Sequence, residues 1–288
     1  MPLNLAIPNK GRLCDGTVSL LGRIGFRVAG LLDRTLVAPL DGGRFVLLFA
    51  RAKDIPEFVE VGAVDVAVTG LDLVLETGCR TVRRMDLGFG FCRLVIAVPE
   101  GSGIHEVAQV RDGSTVATSF PNLTRRYFDG IGKKVEVITV SGATEITPTI
   151  GVADLITDLV ETGSTLKKNH LVPIGPVILE SQAVLIANEK SLREKAEEIH
   201  ELESALKSVI DASRKRYLMA NAPKAALGEV RKILPGISGP TVMPLAGTED
   251  WVAIHAVTSE DEINRVIPRL KALGATGILV LPIERMVV

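Results

Sequence analysis

The chain has 288 residues, 47% of them hydrophobic, and a formal net charge of -1. This length suggests about two domains, or three small ones, and the apolar content allows a sizeable core to be buried. A nearly neutral chain without a long run of one charge lacks the basic face that nucleic-acid binding needs, so we expect no nucleic-acid partner.

The N-terminal segment is too polar for a signal peptide, because Asn4, Pro8, Asn9 and Lys10 interrupt its apolar residues. No apolar run approaches the roughly 20 residues that span a bilayer. We therefore expect a soluble, cytoplasmic protein without a membrane partner. Three cysteines without C-x-x-C spacing and four scattered histidines indicate neither a disulfide framework nor a metal cage built by the protein.

The first third of the chain alternates apolar runs with helical patterns. Strands are predicted at 3–7, 44–50 and 64–70, with helices over 11–24 and 54–63. This alternation favours βα units and a mostly parallel sheet that is covered on both faces. The run at 92–101 predicts a strand that crosses into a second α/β block.

The second block continues the pattern. Strands are predicted at 114–119 and 134–142, a helix at 122–130 and a helical turn at 144–151. Residues 176–188 are predicted to form one long strand. One long amphipathic helix is then expected over 189–217, with its charges on a solvated face.

After about residue 213 the order of elements changes. A strand at 215–222 and a helix at 223–236 precede two strands, 239–245 and 250–257, joined by a hairpin. A helix beginning with a Ser-x-x-Glu pattern at Ser259 and a final strand from Thr276 complete a β-α-β-β-α-β order. That order is typical of ferredoxin-like domains.

The stretch "GVADLITDLVETGSTL", residues 151–166, carries the clearest chemistry. Its turn offers the hydroxyls of Thr162, Ser164 and Thr165, while Gly163 lets the backbone approach a ligand closely. Unpaired backbone N–H groups where such a turn enters a helix favour an anion. A plain helix cap is the alternative, but the turn is well suited to a phosphate monoester.

Two acids precede this turn. On an extended strand, Asp154 and Asp158 share a face because they are four residues apart. Carboxylates repel a phosphate, so we expect them to bind sugar hydroxyls or a Mg²⁺ ion that also holds a diphosphate. Ribose 5-phosphate with an activated C1 meets both demands, whereas two solvent-facing acids near a sheet edge are the alternative.

The spacing E-x5-G-x-A-x2-I-x-D-L-x2-T-G-x-T-L, from Glu145 to Leu166, resembles the 5-phosphoribosyl-diphosphate site of the ATP phosphoribosyltransferases. Further stretches are similar to the same family. They are "PNKGRL" (8–13), "DRTL" (33–36), "RAKDIP" (51–56), "VDVAVTGLD" (64–72) and "DLGFGFCRLVIAVP" (86–99). The tail from 239 to 257 resembles the additional domain of the family's long form.

This resemblance implies an α/β fold with two periplasmic-binding-protein-like catalytic domains and a C-terminal ferredoxin-like regulatory domain. The expected boundaries are 1–93 with 179–212 for the first catalytic domain, 94–178 for the second, and 213–288 for the regulatory domain. The site lies in the cleft between the catalytic domains.

The resemblance also implies the reaction. The 5-phosphoribosyl group of 5-phosphoribosyl 1-diphosphate passes to N1 of ATP, with Mg²⁺, giving N1-(5-phosphoribosyl)-ATP and diphosphate in the first step of histidine biosynthesis. Histidine is the expected inhibitor, and a homo-oligomer that shifts from dimer to hexamer is the expected assembly.

Roles for individual residues follow from the same resemblance. The turn from Thr162 to Thr165 would hold the 5-phosphate, while Asp154 and Asp158 would hold ribose hydroxyls near the developing positive charge. The cations expected to bind the diphosphate and the ATP triphosphate are Lys10, Arg12, Arg34 and Arg51. Gly11 is also expected to bind substrate. Of the cations, Arg34 and Arg51 are expected to be catalytic together with the two acids. Glu145 binds ligand or orders the turn, and both roles stay open.

Histidine is expected at Asn221, Ser238 and Thr241. Asn221 stands where long-form relatives often have an acid, so inhibition is expected to be weaker here. Two other functions compete with this assignment. Base-salvage phosphoribosyltransferases carry two adjacent acids before a Thr-Gly turn, whereas these acids are separated by three residues. A non-enzymatic sensor of an amino acid or nucleotide would bind without turnover.

Overall fold

A computed structural model of the chain describes residues 2–28, 36–237 and 239–287. The strands are β1 (Leu3–Pro8), β2 (Val37–Leu40), β3 (Phe45–Ala50), β4 (Val66–Gly70), β5 (Val82–Asp86), β6 (Cys92–Pro99), β7 (Thr115–Thr118), β8 (Glu136–Thr139), β9 (Leu155–Val160), β10 (Leu171–Ser181), β11 (Ala183–Ala187), β12 (Lys215–Pro223), β13 (Thr241–Pro244), β14 (Trp251–Ser259) and β15 (Thr276–Pro282). The α-helices are α1 (Arg12–Arg23), α2 (Ile55–Glu60), α3 (Leu71–Thr77), α4 (Pro121–Gly130), α5 (Ser164–Lys168), α6 (Ser191–Glu194), α7 (Ala196–Ser213), α8 (Leu227–Ile233) and α9 (Ile263–Ala272).

The first lobe contains a six-stranded sheet in the order β2-β3-β1-β4-β11-β5. β1 pairs in parallel with β3 and β4, while β2, β11 and β5 are joined antiparallel. The predicted apolar runs of β1 and β4 form central, buried strands. Such continuous apolar runs are typical of strands covered on both faces.

The second lobe contains a five-stranded sheet in the order β10-β6-β9-β7-β8. β7 pairs in parallel with β8 and β9, whereas β6 lies antiparallel to β9 and β10. Phe128 of α4 is buried against apolar residues of this sheet, including Ile96 and Leu155. The predicted architecture of two α/β lobes is confirmed.

The prediction of one long strand over 176–188 is wrong. β10 belongs to the second sheet and β11 to the first, and the chain passes between the lobes at Gln182. The other connection lies beside it: the Leu87 N–H donates to the Ala183 carbonyl at 3.0 Å, and the Ala183 N–H donates to the Phe89 carbonyl at 2.9 Å. The backbone N–H and carbonyl of Ala183 are therefore both bound to the other connection.

A second link joins the lobes through Glu76 of α3. Its carboxylate accepts the Asn122 N–H at 2.8 Å and the Leu123 N–H at 2.9 Å, both in the first turn of α4. The Glu76 carbonyl also accepts the Asn122 side-chain amide at 2.9 Å. A carboxylate at a helix N-terminus satisfies N–H groups that have no partner within the helix.

The single helix predicted over 189–217 is also wrong. The chain leaves helical geometry at Lys195 (φ -129°), which separates α6 from α7. The Lys195 ammonium donates to the Asp65 carboxylate at 2.6 Å and to the Pro2 carbonyl at 2.9 Å. The Ser191 hydroxyl donates to the second Asp65 oxygen, also at 2.6 Å. A long-range ion pair thus overrides the local helical pattern.

The chain divides into two compact units, residues 1–201 and 202–288. This division falls within α7, and the boundary expected at 213 stays a prediction. In the second unit, the chain order is β12-α8-β13-β14-α9-β15. Its four strands form an antiparallel sheet in the order β13-β14-β12-β15, which confirms the ferredoxin-like prediction. One face of the sheet packs on α8 and α9, through residues such as Leu218, Ile254 and Leu270.

Two local details of this unit differ from expectation. The helix predicted from Pro223 begins at Leu227, because Pro223 still pairs with Trp251 and a 3₁₀ turn follows. The Ser-x-x-Glu pattern does not form a side-chain cap, since the Ser259 hydroxyl donates to or accepts from no backbone group there.

We predict that Lys195→Ala destabilises the protein by about 3–5 kcal/mol, because it leaves the buried Asp65 carboxylate without its ionic partner. Lys190→Ala is a matched control, since Lys190 pairs with Glu194 at the surface and is expected to cost about 0–1 kcal/mol. Urea unfolding of both variants measures the difference. Equal losses would show that the Asp65 pair does not stabilise the fold.

Candidate functional site

A cavity of about 250 Å³ lies in the N-terminal unit beside the start of α1 and the end of β9. It brings together residues that are far apart in sequence. Those lining it are Arg12, Cys92, Glu145, Asp158, Leu159, Val160, Glu161, Thr162, Gly163, Ser164, Thr165 and Leu166. The motif residues Glu145 and Asp158 therefore face the same space as the predicted turn.

The turn from Thr162 to Thr165 connects β9 to the short helix α5. Gly163 adopts the left-handed region (φ 80°, ψ 0°), which favours glycine because a Cβ atom there is strained. The Thr162 and Ser164 hydroxyls lie 3.1 Å apart, and both side chains are exposed at the cavity. α5 has only five residues, so the donors are the hydroxyls and backbone N–H groups of the turn itself.

Asp158 lies in β9, paired with Val95 of β6. One of its carboxylate oxygens accepts the Leu159 N–H at 2.8 Å. Burial raises the pKa of Asp158 from 3.8 to about 6, and the nearby negative charge of Glu145 adds to this effect. The site thus holds a carboxylate that is costly to ionise without a cationic or hydrogen-bonding ligand.

Asp154 lies in a different environment from Asp158, and the expectation that the two acids act together stays a prediction. β9 begins only at Leu155, and Asp154 precedes it. The Asp154 carboxylate accepts the Thr115 N–H at 2.8 Å and the Thr115 hydroxyl at 3.0 Å. Asp154 is not among the residues that line the cavity.

Among the described residues that line the cavity, the cationic one is Arg12. Its guanidinium donates to the Gly90 carbonyl and, at 3.4 Å, to the Asp72 carboxylate. The Arg12 side chain is 28% exposed, whereas Asp72 is 1% exposed. Gly90 and Asp72 therefore fix the guanidinium while part of the Arg12 side chain remains accessible.

The other predicted cations lie at one edge of the first sheet. β1 and β3 are parallel neighbours in which Pro8 pairs with Ala50, so Lys10 and Arg51 follow adjacent strand ends. Both are exposed and neither lines the cavity. Gly11 precedes α1 with φ 82°, and Arg34 lies outside the described residues. Ligands of α/β sheets commonly bind at this carboxyl edge.

Sequence reasoning missed two residues near the cavity. Cys92 lines it, and burial is the main reason that the pKa of its thiol is raised, so it is not an activated nucleophile. Asp72 contacts Arg12 without lining the cavity. The position of Asp72 two residues after Gly70, which ends a buried strand, was a usable signal.

The residues predicted to bind histidine lie in the C-terminal unit. In β12, Asn221 pairs with Ala253, and in β13 Thr241 pairs with His255. Core residues occupy the alternate positions Leu218, Ala220 and Ile254. Asn221 and Thr241 therefore share the sheet face that points away from α8 and α9, and Ser238 lies outside the described residues.

Neither a metal cage nor a membrane segment is present in the part of the chain that the structure describes. Across residues 2–28, 36–237 and 239–287, no three His, Cys, Asp or Glu side chains are grouped so that they could hold a metal ion. Over the same ranges, no helix combines the length and apolarity needed to cross a bilayer.

Two family models match the chain. One, ATP phosphoribosyltransferase, matches residues 51–208, and the other, its C-terminal domain, matches residues 212–285.

Curated relatives are similar over nearly the full length. ATP phosphoribosyltransferase from Methanocaldococcus jannaschii is 48% identical over 285 residues, covering 98% of both chains. The relative of the same name from Gemmatimonas aurantiaca is 47% identical over 292 residues, covering 99% of both. Among solved structures, the ATP phosphoribosyl transferase (HisG:HisZ) complex from Thermotoga maritima contains a chain that is 31% identical, with a TM-score of 0.63. That match covers 73% of this chain and 98% of the solved one.

The raised pKa of Asp158 predicts a pH-dependent stability. Its pKa lies near 6 in the folded protein and near 3.8 in the unfolded chain. The contribution of Asp158 to the free energy of unfolding is therefore fully present below about pH 4 and is lost as the pH rises through 6. Asp158→Asn is therefore expected to raise the free energy of unfolding by about 1–2 kcal/mol at pH 8, and by less at pH 5. Urea unfolding at both pH values measures this.

Glu136→Gln is the control, since this acid is exposed on the edge strand β8. It is expected to change stability by the same small amount at both pH values. A gain from Asp158→Asn that does not depend on pH would contradict the assignment of the buried charge.

Proposed function

The chain belongs to the ATP phosphoribosyltransferase family, and from this we propose that the cavity beside β9 is where 5-phosphoribosyl 1-diphosphate reacts with ATP. The enzyme transfers the 5-phosphoribosyl group to N1 of ATP, which gives N1-(5-phosphoribosyl)-ATP and diphosphate in the first step of histidine biosynthesis. The observation that carries the proposal is the meeting of Asp158, Glu145 and the 162–165 turn with Arg12 in one cavity.

The 162–165 turn binds the 5-phosphate. Its exposed hydroxyls and backbone N–H groups are donors, and Gly163 keeps a side chain out of the space that the phosphate fills. A phosphate carries enough charge to form charge-assisted hydrogen bonds with each of these donors. This anchoring fixes the ribose at a set distance from β9.

Asp158 then faces the ribose. As N1 of adenine attacks C1 and the diphosphate leaves, positive charge develops on the sugar ring. The Asp158 carboxylate, buried beside Glu145, accepts hydrogen bonds from ribose hydroxyls and stabilises that charge. Such fixed groups lower the barrier because they need little reorganisation during the reaction. Asp154, bound to Thr115, supports β9 and has no direct role in this arrangement.

Arg12 stabilises the negative charge of the leaving group. The leaving diphosphate gains negative charge, and the guanidinium of Arg12 donates hydrogen bonds to it. Lys10 and Arg51, with Arg34 in the segment outside the described residues, bind the remaining phosphate groups of the two substrates. Lys10 and Arg51 follow the carboxyl ends of β1 and β3, and ligands of α/β sheets commonly bind outside such strand ends, which supports this role for the two residues.

Reactions of this family usually need a divalent metal ion, and we assign Mg²⁺ to this role. The carboxylates of Glu145, Asp158 and Glu161 line the cavity, and oxygen ligands of this kind suit Mg²⁺. These carboxylates would hold the ion together with phosphate oxygens of the substrates. When bound, the ion neutralises charge on the diphosphate.

The C-terminal unit binds histidine and regulates the enzyme. Asn221 and Thr241 offer polar groups on the open face of its sheet, near Tyr217 and His255, whose hydroxyl and Nδ1 are 2.7 Å apart. Histidine bound there inhibits by favouring one homo-oligomer, a dimer or a hexamer, over the other. Such a shift requires that histidine binds the two assemblies with different affinities.

The reaction itself is tested by mixing the enzyme with ATP, 5-phosphoribosyl 1-diphosphate and Mg²⁺. Product formation is followed by absorbance near the adenine band and by released diphosphate. Binding heat without turnover would identify a sensor and overturn the proposed function.

We predict that Gly163→Val lowers the affinity for 5-phosphoribosyl 1-diphosphate at least about tenfold, since the loss of even one good phosphate contact has that effect. Gly132→Val is the matched control, because Gly132 has a similar φ of 72° and open space around it but lies away from the cavity. Titration calorimetry measures binding, and circular dichroism checks the fold. Equal losses in both variants would assign the effect to backbone strain alone.

We also predict that Asn221→Asp strengthens histidine inhibition by about fivefold, because a charged acceptor binds an ammonium group more strongly than an amide does. Asn264→Asp adds the same charge on α9, across the sheet from the open face, and is expected to leave inhibition unchanged. Steady-state rates with increasing histidine measure the effect. If histidine inhibits both variants and the wild type equally, Asn221 lies outside the inhibitor site.

A further inference from the structure

Asp72 is a buried acid in the first turn of α3, directly after β4. It is 1% exposed and does not line the cavity. A carboxylate with so little access to water is costly to bury unless its hydrogen bonds and charge are compensated. The groups that compensate it therefore indicate what it does.

Ser181 compensates one carboxylate oxygen and the backbone. The Ser181 hydroxyl donates to Asp72 Oδ1, and its oxygen accepts the Asp72 N–H at 2.9 Å. Ser181 ends β10, where it pairs with Cys92, a residue that lines the cavity. Asp72 is thus fixed in the first lobe against the strand through which the chain leaves the second.

Arg12 compensates the other oxygen. Its Nη2 donates to Asp72 Oδ2 at 3.4 Å, while its Nη1 donates to the Gly90 carbonyl. Both nitrogens of the guanidinium fork are therefore held by groups from outside α1. A planar guanidinium restrained in this way presents its accessible part to the cavity in one orientation.

Two glycines leave the space that this arrangement needs. A Cβ atom on Gly70 would collide with the Asp72 carboxylate, although the backbone of Gly70 (φ -86°, ψ 141°) suits any residue. A Cβ atom on Gly90 would collide with Leu13 and lie 3.7 Å from the Arg12 guanidinium. At Gly70 the requirement for glycine is therefore steric and comes from Asp72 itself.

We propose that Asp72 is a positioning residue that holds Arg12 toward the diphosphate of the substrate. This inference rests on the proposed function, in which Arg12 binds the leaving diphosphate. Without Asp72, the Arg12 side chain keeps its charge but loses its fixed direction, and the donor must be ordered anew in each reaction cycle. Asp72 acts only through Arg12 and touches neither substrate.

A double-mutant cycle tests this inference. Steady-state kinetics with ATP, 5-phosphoribosyl 1-diphosphate and Mg²⁺ are compared for the wild type, Asp72→Asn, Arg12→Ala and the double variant. Asp72→Asn is expected to lower kcat/KM for 5-phosphoribosyl 1-diphosphate about 10–100-fold, as is typical when a group that orients a ligand is removed. In the Arg12→Ala background, Asp72→Asn is expected to cost nothing more.

The outcomes separate the inference from the proposed function. If Arg12→Ala is impaired and the two losses multiply in the double variant, Asp72 acts independently and the inference is overturned alone. If Arg12→Ala has wild-type kinetics, Arg12 is not at the diphosphate, and both the proposed place of Arg12 and the inference are overturned.

Asp15→Asn controls for charge, because Asp15 is an exposed acid one turn after Arg12 on α1. It is expected to keep wild-type kinetics, and an equal loss would overturn the inference. Gly70→Ala covers the case in which Asp72→Asn does not fold. It displaces the carboxylate without removing it, so a folded Gly70→Ala protein with wild-type kcat/KM would also overturn the inference.

Discussion

The hydrogen bonds between the two chain connections of the N-terminal unit are the constraint on which the cavity depends. Leu87 and Phe89 on one connection exchange backbone hydrogen bonds with Ala183 on the other. Gly90, which accepts from Arg12, and Ser181, which holds Asp72, lie within two residues of this pairing. The lobes are thus joined at the place from which the cation of the site is oriented.

Charges of the cavity are arranged before any ligand arrives. Arg12 is paired with the buried Asp72, while Glu145 and Asp158 line the same cavity as Arg12. Burial disfavours the ionised form of Asp158, and the negative charge of Glu145 disfavours it further. A ligand with hydroxyls at one end and an anionic group at the other can donate hydrogen bonds to the acids and pair with the cation. The proposed substrate is such a ligand, with ribose hydroxyls for the acids and a phosphate for the 162–165 turn.

The apolar pattern predicted the central strands because burial on both faces leaves a continuous signal in the sequence. It failed where structure depends on distant residues. Residues 176–188 form two apolar runs separated by three polar residues from Glu180 to Gln182, and the pairing of Ser181 with one sheet and Ala183 with the other divides them. β5, with the sequence "VRRMD", was not predicted because an exposed edge strand can be charged. Lys195 interrupts a helical pattern where it pairs with Asp65. The sequence did not predict this interruption because Asp65 lies far away along the chain.

The same distinction applies to the site. The 162–165 turn and Asp158 lie within one continuous motif, so spacing alone predicted that they act together. Asp154 belongs to the same motif, but the N–H and hydroxyl of Thr115 bind it at the start of the strand. The two partners of Arg12, Gly90 and Asp72, come from separate segments, and no local pattern joins them to Arg12.

The hydrogen bonds of Glu76 give the N-terminal unit two backbone amides whose hydrogen exchange depends on the separation of its lobes. The Asn122 and Leu123 amides are bound to a carboxylate on the other lobe, whereas later amides of α4 are bound within the helix. Separation of the lobes exposes these two protons to solvent while α4 stays folded. Their deuterium uptake thus measures how often the cleft opens, independently of unfolding.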